Sequence, residues 1–499
     1  IVISKKKKMD KWLDELDSNL LSIRNQLGQI YYQGFLTGNL DADLINELSA
    51  KRKSLLEQSD LQVRLTSVLA GVSSENWSVN ELTRRALLLQ DLLIAERIEG
   101  APNLVSCKAA IQKQENKFIP SFGSDSKGHA ARRNALSSND SKQVREEAHS
   151  SLSPLLSGIE SNCREFIEIA NTLSKEQGYS DYFNFRLSQD NLNPVGVSQD
   201  LEAVLKVTEE EYLEFLRLAR EVTGTETVDF CDLQFAQKSI LCELDQIYSG
   251  NSPISDLKKL LDTLTIDMDS FPVTIESADT SNAGACFALD SDDFRLILGS
   301  DNGYFGHYIA FHEFGHAMHY SLQPKSVLLS DRGLCLEVMA DFFASVLVDP
   351  SWLGEYSMAN ESEITRLLEL KRLSDAYRLR TFVLDTMFER EIYRSPWKPL
   401  ETTWRKLSKE ILLVPDKEAI WDPFCVYRPA YTKNYLYSHF LAKRLADIRF
   451  ERYGSLLDNP MSLNQVFAEI TEYGNLYPFK ERVKKVGLDS IRLAKHIDL

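Results

Sequence analysis

The stretch that most constrains this chain is His312-Glu313-Phe314-Gly315-His316, within Tyr304 to Ser321 (YFGHYIAFHEFGHAMHYS). Read as a helix, positions i and i+4 share one face, about 5–6 Å apart at Cβ. Two neutral imidazoles so placed can hold one Zn²⁺ through nitrogens at about 2.0–2.1 Å. Glu313 directly follows the first histidine, so its carboxylate stands beside such an ion rather than on it. There it can take a proton from a metal-bound water. The plainer alternative is a pair of satisfied core histidines. Two more histidines lie close by: His319, three residues after His316 on roughly the same face, and His307, more than a turn ahead of the motif.

A catalytic zinc takes three protein ligands and keeps one position open. The next apolar segment, Gly333 to Leu347 (GLCLEVMADFFASVL), reads as a buried helix with Glu337 and Asp341 four residues apart on one face. Carboxylates inside an apolar helix are costly unless paired or bound to metal. Glu337 follows His316 by 21 residues, enough for a turn of helix, a loop and a return. Glu337 is therefore assigned to the ion. Asp341 is assigned to orienting a ligand histidine through its other ring nitrogen. A buried salt bridge is the alternative for this pair.

HEFGHAMH followed by a helix with E-x-x-x-D resembles the gluzincin peptidases of the thimet oligopeptidase and oligoendopeptidase F group; the angiotensin-converting-enzyme group shares the second feature. Asp293 to Leu298 (DFRLIL) resembles the active-site edge strand of both groups, and Gln177 to Phe183 (QGYSDYF) resembles their G-Y-x-x-Y/F segment. The likeness runs from about residue 137 to the C-terminus. It implies a mostly α-helical, zincin-type metallopeptidase with a deep cleft and a small sheet beside the zinc helix. It also implies a lid of N-terminal helices (1–120) over a catalytic region (121–499), and peptide substrates of modest length.

Composition excludes little but excludes it usefully. With 43% aliphatic and aromatic residues and 26% charged ones, the 499-residue chain can bury a large core. A formal net charge of −16 argues against nucleic acid as a partner and suits basic peptides if the charge reaches the cleft. No apolar run is long enough for a membrane span. Seven scattered cysteines without C-x-x-C read as reduced thiols of a cytoplasmic protein. The basic start, Ile1 to Lys8, has the wrong order for a signal peptide and reads as a frayed end. The sequence leaves the oligomeric state open.

Along the chain, Met9 to Leu69 and Asn76 to Ile98 carry helical apolar spacing, with Ser78 as the expected N-cap of the latter. Residues 121–142 are rich in Ser and Gly and read as a loop, with His129 solvated. Residues 141–178 return to helix. Residues 187–197 read as a loop around Pro194, and Ser198 to Val222 as one acidic helix. Val273 to Ile275, Ala285 to Leu289 and Phe294 to Leu298 read as strands of a small sheet. An edge strand beside the metal would bind an extended peptide backbone to backbone. Ser362 to Tyr393 reads as a long helix, and residues 416–423 as a break.

Tyr427 to His439 (YRPAYTKNYLYSH) holds four tyrosines. By itself this is an aromatic core stripe. In the resembled families the region carries tyrosines that hydrogen-bond the tetrahedral intermediate, and a phenol is an apt donor to a developing oxyanion. The family's preceding histidine is absent: Cys425, Val426 or Tyr427 stands there. The resemblance thus implies Tyr435 first, Tyr431 second, and Tyr427 as a stand-in for the histidine. The expected cofactor is one Zn²⁺ per chain on His312, His316 and Glu337, with Glu313 as base. A carboxy-dipeptidase of the angiotensin-converting type would need a cation for the substrate's terminal carboxylate, with Arg428 or Lys433 as candidates. An inactive zincin-fold binding protein is the rival from another class.

Overall fold

The heptad-like spacing near the N-terminus folds as three helices, Val2–Thr37, Ala42–Leu56 and Ser59–Leu69. The computed structural model describes residues 2–70, 80–124, 126–278, 284–299 and 303–493. The first helix already begins at Val2, so the basic start is not a frayed end but its first turns. Leu13, Leu16 and Leu20 bury in one apolar cluster with Leu61, Leu65, Leu89, Val327 and Leu328. The next helix, Glu81–Glu99, is capped by Asn80, whose side chain accepts from the Thr83 amide. The expected cap, Ser78, lies outside the described residues. Ala95, together with Leu104 and Ile111 of helix Pro102–Lys117, buries in the same core as the chain from Leu155 onward.

Three expectations in the middle of the chain need correction. The polar stretch 121–142 is not a loop: β1 (Ser121–Phe122) pairs with β2 (Ser126–Lys127), and helix His129–Ser138 follows. Ala135 and Leu136 bury there with Phe122 and Ala148, which was enough to order it. His129 is half-buried at the start of that helix, its Nε2 3.1 Å from the Phe118 carbonyl. Pro194 opens a helix (Pro194–Val207) rather than interrupting one, as its fixed φ permits at a first helical position. The acidic segment is two helices, meeting at Thr208. The Thr208 hydroxyl binds the Val204 carbonyl, and Arg380 fills the break by donating to Thr208 Oγ1 and to the Leu205 carbonyl.

The small sheet forms where expected, from β3 (Val273–Ser277), β4 (Gly284–Asp290) and β5 (Asp293–Leu298). Its order is β3-β5-β4, with β3 parallel and β4 antiparallel to β5. Asp293 to Leu298 is thus the central strand, not the edge. Phe294, Leu296 and Ile297 are almost fully buried, as a strand paired on both sides requires. The edge beside the motif is β4. Among the described residues it forms a ladder with β5 alone.

Four helices frame the candidate site. The motif helix (Gly303–Leu322) packs on the carboxylate helix (Leu334–Ala344), which is flanked in turn by the tyrosine helix (Thr432–Tyr453). The long helix (Glu361–Arg394) begins with a capping box between Asn360 and Glu363. Gly315 makes the first contact possible: a Cβ there would lie 2.8 Å from Ala340 Cα. The molecule is mostly α-helical, and among the described residues no helix is long and apolar enough to cross a membrane. All seven cysteines are free thiols.

Candidate metal centre

The touching motif and carboxylate helices bring Glu337 onto the histidine face. Glu337 Oε2 lies 3.2 Å from His312 Nε2 and 3.7 Å from His316 Nε2, and the three ligand atoms fall within 4.8 Å of one another. Tetrahedral ligands at zinc distances stand about 3.3 Å apart. Glu337 is buried, and its Oε2 has no hydrogen-bond partner among the described residues. A buried carboxylate oxygen aimed at two ring nitrogens is costly without a cation. The donor set therefore fits a metal ion, and two imidazoles with one carboxylate suit zinc.

Asp341 stands where the sequence placed it. It accepts from His312 Nδ1 at 2.8 Å, from the Tyr308 hydroxyl at 2.5 Å and from the Ser438 hydroxyl. Burial opposes its charge, yet His312, Arg378 and Ser438 hold the carboxyl down to about 2. Burial also opposes a charged His312, but Asp341 and Glu337 outweigh it and raise its pKa well above the usual histidine value. Tyr308 lies one turn before His312, and Ser438 sits on the tyrosine helix. The spacing alone offered Tyr308; nothing local marked Ser438.

Glu313 points past the histidines toward β4. Burial raises its carboxyl, while His316, His312 and a hydrogen bond from the Cys286 amide pull it the other way. Gly284 lets β4 come this close: a Cβ there would meet Ile309 Cγ2 at 2.5 Å and Glu313 Cγ at 3.2 Å.

The tyrosines divide. The Tyr431 hydroxyl donates to Glu337 Oε1 at 2.5 Å, so it braces the candidate ligand. The Tyr435 ring packs on Tyr431 and Phe382, each at 5.6 Å between centroids, within the field of Glu337 and Glu313. Tyr427 is buried and directed at Glu115, away from the triad. Glu389 sets this register by accepting from the Ala430 amide and the Thr432 hydroxyl, with Ala430 at φ 57°. Arg428 is exposed, 4.2 Å over the Tyr431 ring. Lys433 is fully buried in an ion pair with Asp190, which also accepts from the Leu334 amide at the head of the carboxylate helix. It is not available to a substrate.

His307 and His319 stay out of the triad. His307 is sealed between the Gly303 carbonyl and Asp256. His319 meets Asp331 and Cys335 in a second cluster of ligand-type side chains. There both Asp331 oxygens already hold the Arg482 guanidinium, whose charge occupies a cation's place. No protein-family model matches the chain, and no curated protein matches it.

Proposed function

We propose that the chain is a zinc-dependent peptidase that hydrolyses peptide bonds in short to medium unstructured peptides. The observation that carries this reading is the convergence of His312 Nε2, His316 Nε2 and the buried Glu337 Oε2, with Glu313 immediately beside them. Zinc, when held by these three residues, supplies Lewis acidity and lowers the pKa of bound water toward neutrality.

The chain's own residues supply the rest. Asp341 fixes the tautomer and orientation of His312 through Nδ1, while Tyr308 and Ser438 fix Asp341. Glu313, raised by burial, takes a proton from the attacking water and returns it to the leaving amine. The edge of β4 that carries no further strand among the described residues would offer backbone groups to an extended peptide next to Glu313, a mode indifferent to most side chains. Tyr435 donates to the developing oxyanion. A deep cleft under the N-terminal helices would limit substrates to unfolded peptides.

Incubation with a mixed peptide library, with and without a chelator, tests the reading. Chelator-sensitive internal cleavage is the expected result; no cleavage by the zinc-loaded chain overturns it. Release of C-terminal dipeptides alone would favour carboxy-dipeptidase action, for which exposed Arg428 remains a candidate cation and Lys433 does not.

A further inference from the structure

The C-terminal end of the long helix (Glu361–Arg394) lines a cavity that shares no residue with the metal centre. The cavity lies where helix Ser153–Glu176 ends and helices Tyr182–Gln189 and Pro194–Val207 begin. Its volume is about 530 Å³, the size of a small-molecule site. Lys175, Arg390 and Arg394 line it, against a single acid, Asp181.

These charges do not cancel. Asp181 is spent on its own helix: one carboxylate oxygen accepts from the Asn184 amide, the other from the Asn184 side chain and the Ser180 hydroxyl. Arg390 donates to the Ser198 hydroxyl at 3.1 Å and stands 3.7 Å from Glu391, which Lys398 shares at 3.8 Å. The Nε of Arg390 is buried without a hydrogen-bond partner among the described residues. Lys175 and Arg394 are exposed and, among the described residues, form no ion pair. Each sits in the last turn of its helix, where the helix dipole favours a cation. The dipole does not account for the orphaned nitrogen of Arg390.

Nor does it account for the apolar wall. Trp397 is 74% exposed and Val195 69%, and both line the same cavity. Among the described residues the indole stacks on no other ring and carries no cation. A single exposed apolar side chain is ordinary. An uncovered indole in one cavity with three cations is a stacking surface beside an anion site.

We propose that this cavity binds a nucleoside phosphate, with its phosphates on Lys175, Arg390 and Arg394 and its base on Trp397. Three cations less one acid leave a surplus of two positive charges, which a diphosphate neutralises and one carboxylate does not. Guanidinium forks and a lysine ammonium both suit phosphate oxygens. Any base presents a flat face to an indole. The lining comes from helices and their ends and offers no strand edge, which an extended acidic peptide would use. Nothing in this assignment depends on the peptidase reading of the triad.

Calorimetric titration of the full chain with ADP, adenosine and pyrophosphate tests it, together with a Glu-rich peptide titrated into Glu313→Gln to avoid cleavage. ADP should bind, and adenosine and pyrophosphate should each bind at least about tenfold more weakly, since each keeps only part of the contacts. Lys175→Gln/Arg394→Gln should weaken ADP about 10–100-fold, the scale of lost charge-assisted contacts, and the loss should shrink at high salt. Trp397→Ala should weaken ADP and adenosine about tenfold and leave pyrophosphate unchanged. All three positions are exposed, so the variants should fold. The ligand comparison in the wild type needs no variant at all. Pyrophosphate binding as tightly as ADP would reveal an anion patch without a base site and overturn the proposal. So would the absence of ADP binding, or ADP binding that survives the cation variants and therefore lies elsewhere, the metal included. Tighter binding of the Glu-rich peptide, lost in the same variants, would overturn it in favour of an acidic peptide.

Discussion

The Tyr431 hydroxyl holds Glu337 Oε1, leaving Oε2 to face His312 and His316. One phenol thus fixes which oxygen of the third candidate ligand is free. Tyr435, one turn on, packs against it without a hydrogen bond from its own hydroxyl among the described residues.

The two tyrosines should therefore fail differently. Tyr431→Phe releases Glu337 and should weaken zinc retention roughly 10–100-fold, the usual scale for a partner that orients a ligand. Tyr435→Phe should keep zinc and lose about 10²–10³ in kcat with little change in KM, as expected for a donor to the transition state. Zinc content and turnover of one fluorogenic peptide separate them. Full turnover in Tyr435→Phe would make that residue a packing element.

Elemental analysis should find about one zinc per chain. Glu337→Ala removes the third candidate ligand and should lose most of the metal, whereas Asp341→Asn should lower affinity by roughly 10–100-fold. Undiminished zinc in Glu337→Ala would sink the ligand assignment.

Glu313→Gln preserves shape and the approach of β4 but removes the base. Peptide hydrolysis should fall about 10²–10⁴-fold with zinc still bound. A near-normal rate in a zinc-replete mutant would refute the assigned role.

Gly315→Ala tests the contact between the two ligand-bearing helices. Its Cβ would meet Ala340 backbone at 2.8 Å, so one helix must move. A loss of about 1–3 kcal/mol in unfolding free energy, with weaker zinc binding, is expected. Unchanged values for both would show that the helices separate freely.

Glu389 links pH to the start of the tyrosine helix. Burial raises its carboxyl to about 8, against the pull of Thr432 and the Ala430 amide. The folded chain then keeps a proton that the unfolded chain has lost above its ordinary carboxyl pKa. Stability from this group is complete below that value and declines as pH rises toward 8, by at most about 1.4 kcal/mol per pH unit. Glu389→Gln cannot ionise, so its stability relative to wild type should increase between pH 5 and 8 in denaturant titrations. A constant difference across that range would contradict the assignment.

The sequence alone determined what depends on short-range spacing. The i, i+4 histidines, Glu313 between them, and the Glu337–Asp341 pair are local facts about helix faces, and helical periodicity carries them into three dimensions. The three sheet strands were legible for the same reason: alternation and turn residues act within a few positions.

Only the tertiary structure decided the rest, because those choices compare distant groups. Whether DFRLIL lies inside or at the edge of its sheet depends on which strand pairs on its far side, and β3 took that place. Whether Lys433 or Arg428 stays open depends on Asp190, far away in sequence. Residues 121–142 looked like a loop because Phe122, Ala135 and Leu136 bury against Ala148 and Cys231, beyond the stretch, rather than through a periodicity of their own. Tyr431 turned toward Glu337 through Glu389 on the long helix and the left-handed backbone at Ala430.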